Sequence, residues 1–214
     1  MTIRQKILQS KLIAIVRGLP EKHLLTLADA LLAGGISLME ITFDQRNPET
    51  WQTTAAGIAS LEKSFGGAIC AGAGTVMTLE QLRLAADAGA RYIISPNADA
   101  DIIRATKGLG LVSMPGAMTP TECAAAHNAG ADFIKLFPAG VLGADYLKAI
   151  KAPLAHLQFM AVGGVSVANI PAFIAAGAVG FGIGGNLVNK AWIEAGETSK
   201  ITALARAYAD AVIH

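Results

Sequence analysis

The chain has 214 residues, of which 53% are hydrophobic and 15% are charged, and its formal net charge at pH 7 is +1. This composition is typical of a folded globular protein with ample core, and it excludes an intrinsically disordered chain. The near-neutral charge, without a run of basic residues, argues against a nucleic acid as partner.

Predicted strands and helices alternate along the whole chain. Apolar or β-branched runs predict strands near 12–16, 36–43, 68–73, 91–95, 110–114, 132–137, 157–162 and 179–183. Helical patterns lie near 20–33, 48–64, 78–88, 99–107, 119–129, 143–151, 166–176 and 197–212, with an extra N-terminal helix near 2–10. Eight such units predict a (β/α)8 TIM barrel, an α/β fold, as a single domain over residues 1–214. An open doubly wound sheet is less favoured, because no Gly-x-Gly-x-x-Gly follows the first strand.

Helix ends are marked by short local signals. An Ala-Gly pair precedes four of the strands, which predicts a left-handed glycine at each of Gly34, Gly89, Gly130 and Gly177. Cap residues predict helix starts at Thr78, Asp99, Thr119 and Ser166, and Thr119 has the fullest signal because Pro120 and Glu122 follow it.

Several other functional classes are disfavoured by the pattern. Residues 152–189 contain no charged side chain, but prolines and glycines interrupt them, so no membrane-spanning helix is predicted. The polar start is not typical of a signal peptide, and Cys70 and Cys123 are expected to be free thiols in the cytoplasm. The four histidines show no ligand spacing, so neither a metal nor another cofactor is expected.

Two charged residues interrupt otherwise apolar strands. Lys135 lies within the strand at 132–137, and Glu40 lies within the strand at 36–43. A buried ammonium is costly unless it is paired or neutral, and a lysine with a lowered pKa can attack a carbonyl. The alternatives are a lysine that reaches the barrel mouth for structural reasons, and a plain structural ion pair with Glu40.

The predicted barrel brings Glu40 and Lys135 to the same place. They lie on the second and sixth strands of a ring of eight, so they should face each other across the axis near the carboxyl ends of the strands, where barrel enzymes place their chemistry. A small molecule between them would meet an amine on one side and a proton shuttle on the other.

Further candidates lie at the ends of the other strands. Arg17 ends the first strand and Pro96 follows the fourth. Glycine pairs follow the last two strands, Gly163-Gly164 ahead of a predicted helix and Gly184-Gly185 ahead of Asn186. Backbone N–H groups in such loops can bind a phosphate, which predicts an anion site there.

These residues together resemble the KDPG/KHG aldolase family. The resemblance is carried along the whole chain, in order, by the segments 13–18 (IAIVRG), 40–42 (EIT), 72–76 (GAGTV), 94–96 (ISP), 115–116 (PG), 133–139 (FIKLFPA) and 162–165 (VGGV). It implies a pyruvate-dependent class I aldolase acting on a phosphorylated keto acid, such as 2-keto-3-deoxy-6-phosphogluconate (KDPG), and a homotrimer. It also implies that Lys135 forms the Schiff base and that Glu40 is the general acid/base. Thr75 and Phe137 match pyruvate-pocket positions, and the two glycine loops match the phosphate site.

The chain departs from the gluconate-type pattern at three positions. Asp44 stands where many such members carry a carboxylate-binding arginine, so either Arg17 takes over that contact or the substrate differs. Asn186 replaces a serine in the last loop, and Val162 replaces a hydroxyl residue. The segments around Arg17 and Val162 look more like the galactonate branch (KDPGal). A 4-hydroxy-2-oxoglutarate (KHG) aldolase, a non-catalytic phosphosugar-binding barrel and another phosphate-binding barrel enzyme remain alternatives.

Overall fold

The computed structural model of the chain describes residues 1–213 and shows a nearly closed parallel barrel surrounded by helices. Its strand segments in this range are β1 (Leu12–Arg17), β2 (Leu38–Thr42), β3 (Cys70–Gly74), β4 (Tyr92–Ile94), β5 (Val112–Met114), β6 (Gly116–Ala117), β7 (Ile134–Leu136), β8 (Phe159–Val162) and β9 (Gly180–Ile183). Every pairing between them is parallel. The predicted α/β barrel is therefore confirmed.

The strand order shows where the barrel closes. The order is β5-β4-β3-β2-β1-β9-β8-β7-β6, and Pro115 separates its two ends, β5 and β6. The strand predicted at 110–114 is thus followed by a second short segment, since proline has no N–H to continue a ladder. The Pro115 carbonyl still accepts a hydrogen bond from the Lys135 N–H, at 2.9 Å. β2 and β7 consequently lie on opposite sides of the ring.

The helices match the predicted pattern with three differences. They are α1 (Ile3–Ser10), α2 (Glu21–Ala33), α3 (Trp51–Phe65), α4 (Leu79–Asp87), α5 (Ala100–Gly108), α6 (Pro120–Asn128), α7 (Ala139–Leu142), α8 (Ala144–Lys151), α9 (Ile170–Ala175), α10 (Lys190–Glu194) and α11 (Thr198–Ala211). A 3-10 turn at Pro48–Thr50 leads into α3. The segment predicted near 143–151 is preceded by the separate turn α7, α9 is shorter than predicted, and α10 was not predicted.

Strand alternation divides the apolar side chains into two layers. One cluster fills the barrel interior and consists of Ile7, Ile13, Ile15, Leu38, Cys70, Tyr92, Ile94, Val112, Met114, Phe133, Met160 and Val162. The larger cluster lies between the strands and the helices. Ile7 of α1 is fully buried in the interior cluster, and the Arg4 guanidinium lies 5.7 Å from the centroid of the Phe133 ring. Helix α1 therefore closes the amino end of the barrel.

The predicted helix ends are confirmed at most positions. Thr78 and Thr119 form capping boxes, Asp99 accepts from the first turn of α5, and Gly89, Gly130 and Gly177 have positive φ. Two predictions are wrong. After α2 it is Gly35, with φ +93°, that adopts the left-handed conformation, while a Cβ on Gly34 would overlap Ala205 of α11. Ser166 caps no helix, because α9 begins four residues later.

No helix within residues 1–213 is long and apolar enough to cross a membrane. Cys70 and Cys123 are buried free thiols, and burial raises the pKa of each to about 11.

Candidate active site

Glu40 and Lys135 point into the barrel from opposite walls. Glu40 pairs in register with Ile15 and Gly72, and Lys135 pairs with Gly116 and Met160. Both side chains are almost fully buried, with 1% of Glu40 and 3% of Lys135 exposed. The two anomalous charges of the sequence therefore occupy one interior, as strand counting predicted.

The two groups are coupled electrostatically without being joined in a salt bridge. Within residues 1–213, no carboxylate lies within 4.0 Å of the Lys135 ammonium, and both Glu40 oxygens are buried without a hydrogen-bond partner. A structural ion pair would satisfy these atoms. The arrangement therefore leaves both groups available to a molecule between them.

Burial shifts the pKa of each group toward its neutral form. Desolvation raises the pKa of Glu40, and the positive charges of Lys135 and Arg17 oppose this effect. Desolvation also lowers the pKa of Lys135, against the influence of Glu40 and with that of Arg17. A neutral amine is a nucleophile and a protonated carboxyl is an acid, so these shifts suit carbonyl chemistry near neutral pH.

Small and aromatic neighbours shape the space around the pair. A Cβ on Gly74 would overlap the Glu40 carboxyl, so only glycine leaves that carboxyl its place on the neighbouring strand. The Lys135 Nζ lies 5.0 Å from the centroid of the Phe137 ring, and a Cβ on Gly163 would lie 3.1 Å from the same ring. Phe137 thus lies beside Lys135 at the mouth, as its predicted place in the pocket requires.

A cleft of about 740 Å³ opens beside this mouth between α2 and α3. Arg17, Thr42 and Thr75 are among its lining residues. Thr75 has φ +55°, an unfavourable conformation for a β-branched residue, and its carbonyl accepts a hydrogen bond of 2.7 Å from Gln45 Nε2. Arg17 is exposed at the end of β1, so Arg17, the predicted carboxylate contact, and Thr75, a predicted pyruvate-pocket residue, line the same cleft.

Asp44 is engaged by its own loop. Its carboxylate accepts hydrogen bonds from the Arg46 N–H at 2.9 Å and from Asn47 Nδ2 at 2.8 Å. These bonds, the one from the Arg46 backbone first, lower the pKa of Asp44. The acid that replaces the family's arginine therefore stabilises the loop between β2 and α3.

The two glycine loops are joined by a hydrogen bond, and the helix after the first of them begins later than predicted. Asn186 Nδ2 donates to the Val165 carbonyl at 2.8 Å and joins the loop after β9 to the loop after β8. Gly163 and Gly164 have positive φ, and the space next to Gly184 and Gly185 is open. The helix predicted directly after Gly163-Gly164 begins only at Ile170, and α10 begins at Lys190, so neither glycine pair lies at a helix N-terminus. Any anion there depends on loop N–H groups.

Pro96 lies in tight contact with β6, next to the point where the two ends of the sheet meet. A Cβ on Gly116 would overlap the Pro96 carbonyl, so the loop after β4 lies directly against β6. Pro96 is half-buried, which agrees with its predicted place at the mouth.

Sequence reasoning missed two residues at this mouth, Gln45 and Lys190, and the role of a third. Gly74 lies in the segment 72–76 that the sequence places at the mouth, but its close approach to Glu40 was not predicted. Gln45 and Gly74 contact residues that are distant in sequence, and no local pattern predicts such contacts. Lys190 was missed because α10 was not predicted; its Nζ donates to the Gly18 carbonyl at 3.2 Å. The cap Asn189, which accepts from the Trp192 N–H, is a signal that could have located this helix.

No group of three or more His, Cys, Asp or Glu side chains in residues 1–213 is arranged to hold a metal ion. Two of the histidines that are distant in sequence do meet: the rings of His127 and His156 lie 5.1 Å apart between centroids, near Arg4 at the amino end of the barrel.

The barrel and the buried amine and carboxyl at its mouth fit an enzyme of the carbon–carbon lyase class. The family model described as KDPG and KHG aldolase matches residues 3–204. The chain therefore belongs to the KDPG/KHG aldolase family, and it is a class I aldolase.

Individual relatives agree with this assignment. A probable 2-dehydro-3-deoxy-6-phosphogalactonate aldolase of Rhizobium meliloti is 38% identical over 206 residues, which are 96% of this chain and 94% of the relative. The 2-dehydro-3-deoxy-6-phosphogalactonate aldolase of Escherichia coli is 34% identical over 94% of this chain and 96% of its own length. A KDPG aldolase structure from Legionella pneumophila, with pyruvate captured as a covalent carbinolamine, is 27% identical and superimposes with a TM-score of 0.86, covering 97% of this chain and 98% of that chain.

Proposed function

We propose that the enzyme cleaves a 2-keto-3-deoxy-6-phospho sugar acid to pyruvate and glyceraldehyde 3-phosphate, with Lys135 as the Schiff-base nucleophile and Glu40 as the general acid/base. The observation that carries this proposal is the buried, unpaired amine that faces a buried, unpaired carboxyl across the barrel mouth. The Legionella relative, with pyruvate bound covalently, supports the same chemistry.

The reaction begins at the amine. Neutral Lys135 Nζ adds to the C2 ketone, and the resulting carbinolamine loses water to give a protonated imine. Because Lys135 is desolvated, its amine is neutral over a wider pH range than that of an exposed lysine. The imine then accepts the electron pair that carbon–carbon cleavage releases.

Glu40 moves the protons of the following steps. In its ionised form it takes the proton of the C4 hydroxyl, directly or through water, while the C3–C4 bond breaks and glyceraldehyde 3-phosphate leaves. The protonated carboxyl then returns the proton to C3 of the enamine. Water hydrolyses the imine, which releases pyruvate and regenerates Lys135.

The substrate is proposed to carry a phosphate and to be of the galactonate type. Loop N–H groups of Gly163, Gly164, Gly184 and Gly185, with Asn186 holding the loops together, support a phosphate site. The relatives from R. meliloti and E. coli, both phosphogalactonate aldolases by name, support the galactonate epimer. Arg17 is proposed to bind the carboxylate, since Asp44 is turned toward its own loop.

A substrate panel tests this proposal. We expect kcat/KM to be highest for the phosphogalactonate epimer, lower for the phosphogluconate epimer, and at least about tenfold lower for 4-hydroxy-2-oxoglutarate, which lacks the phosphate. Arg17→Ala should raise KM for all three about tenfold, because each carries the carboxylate. Equal efficiency with and without phosphate would refute the anion site and favour the 4-hydroxy-2-oxoglutarate alternative.

The oligomeric state is proposed to be a homotrimer. Exposed apolar side chains at the carboxyl ends of the strands, Met77, Leu79, Met118 and Val141, support an interface, and Val141 is 84% exposed. A 33% identical chain occurs in a cage designed by fusing symmetric oligomeric domains. Light scattering after gel filtration should give three times the 22.0 kDa chain mass; Val141→Lys should shift the mass toward the monomer, and a monomeric wild type would contradict the proposal.

A further inference from the structure

Lys190 lies where the ends of β1 and β9 meet. It is the first residue of α10, and its Nζ donates to the Gly18 carbonyl at 3.2 Å. Gly18 directly follows Arg17 and has φ +54°. This single bond therefore places an exposed ammonium next to the segment that carries the Arg17 guanidinium, although the two residues are 173 positions apart in sequence.

The positive charges of these two residues are not neutralised by the protein. Among residues 1–213, neither side chain has a carboxylate within 4.0 Å, and Arg17 makes no side-chain hydrogen bond. The acids of the same cleft are engaged elsewhere: Glu21 accepts from Ser60, and Asp44 accepts from Arg46 and Asn47. Two cations that line one cleft make it attractive to an anion, whose binding would neutralise their charge.

The position of Lys190 and Arg17 in the cleft indicates which anionic group of the substrate they would bind. Lys190, Arg17 and Thr75 line the same cleft beside the mouth. None of the four loop glycines proposed to bind phosphate is among its lining residues. The wall that carries both cations is therefore away from the proposed phosphate loops, and it contains Arg17, the residue proposed to bind the keto acid's carboxylate.

We propose that Lys190 is a specificity-determining residue of the aldolase, which recognises the carboxylate of the 2-oxo acid together with Arg17. Its Nζ has three donors, and the bond to Gly18 uses one of them, so the others are free for a carboxylate oxygen. This inference deepens the proposed function and rests on it.

The test is Lys190→Met, which keeps the length of the side chain and removes its charge. Pyruvate carries the carboxylate and no phosphate, so the pyruvate concentration for half-maximal borohydride trapping should rise about tenfold. KM should rise by the same factor for phosphorylated and unphosphorylated keto acids, while kcat changes little. Lys190→Arg should restore most of the affinity, and Lys63→Met, a lysine far along α3, should change nothing.

Salt dependence separates recognition from a structural role. KM of the wild type should rise with ionic strength, and that slope should be smaller in Lys190→Met, because a charged contact is screened and a packing contact is not. A loss confined to phosphorylated substrates would overturn the proposal in favour of a phosphate contact. An unchanged pyruvate concentration for half-maximal trapping in Lys190→Met would also overturn it. If the adduct at Lys135 still forms normally in that variant, the proposed function remains intact.

Discussion

Lys135→Met is expected to lower pyruvate release about a thousandfold or more and to abolish covalent trapping, because no other group supplies the electron sink. In the wild type, borohydride with pyruvate should add one reduced adduct, and peptide mapping should place it at residue 135. Lys63→Met serves as the matched control and should trap pyruvate normally. An adduct on another lysine, or cleavage that survives in Lys135→Met, would contradict the assignment.

The fold should survive this replacement. Methionine has a similar volume and removes a desolvated amine, and such exchanges of a buried charge for an apolar group are often neutral or stabilising. A cooperative melting transition in Lys135→Met would therefore separate lost chemistry from lost structure.

Glu40→Gln is expected to lower the cleavage rate about a hundredfold or more, as removal of a general acid/base does. Trapping of pyruvate at Lys135 should still reach its full extent at equilibrium, since the amide leaves the amine in place. Rapid cleavage in this variant would reduce Glu40 to a charge partner of Lys135.

The same variant should change the dependence of stability on pH. Burial raises the pKa of Glu40 in the folded state, so the folded protein keeps a proton that the unfolded chain releases. Stability is therefore lost as pH rises from the usual range of a glutamate through the raised value. In Glu40→Gln this loss should vanish, so Tm should fall less between pH 5 and 8; an unchanged profile would show that the pKa of Glu40 is not raised.

Gly74→Ala offers a second way to disturb Glu40 without removing it. The added Cβ would overlap the carboxyl, so the charge stays in the site while its position changes. We expect the cleavage rate per folded molecule to fall about as much as in Glu40→Gln. The folded fraction is measured from the melting transition of the variant.

The sequence is sufficient to predict Glu40 and Lys135 as the principal residues of the candidate active site. A charge within an apolar strand is a local signal, and strand counting in a ring of eight is enough to predict that Glu40 and Lys135 face each other. Their burial and the absence of a salt bridge agree with that prediction. Their catalytic roles stay predictions until the variants are measured.

The errors have local physical causes. Helix α2 ends one residue later than the Ala33-Gly34 pair indicates, so Gly34 is a right-handed C-cap packed against Ala205 and Gly35 is the left-handed residue. Ser166 looked like a cap, but Pro171, in the first turn of α9, marks the later start. The engagement of Asp44 by its loop and the bond between Asn186 and Val165 join groups through tertiary structure, which no spacing rule predicts.

Helix α1 has a consequence for the chemistry at the opposite end of the barrel. Ile7 belongs to the same interior apolar cluster as Phe133, and Phe133 precedes Lys135 by two residues. The helix therefore shields the amino end of the barrel interior from water and contributes to the burial that lowers the pKa of Lys135. We expect that an enzyme without the eight residues of α1 would keep its mouth but have a better-hydrated amine, so that its pH optimum would move to higher values.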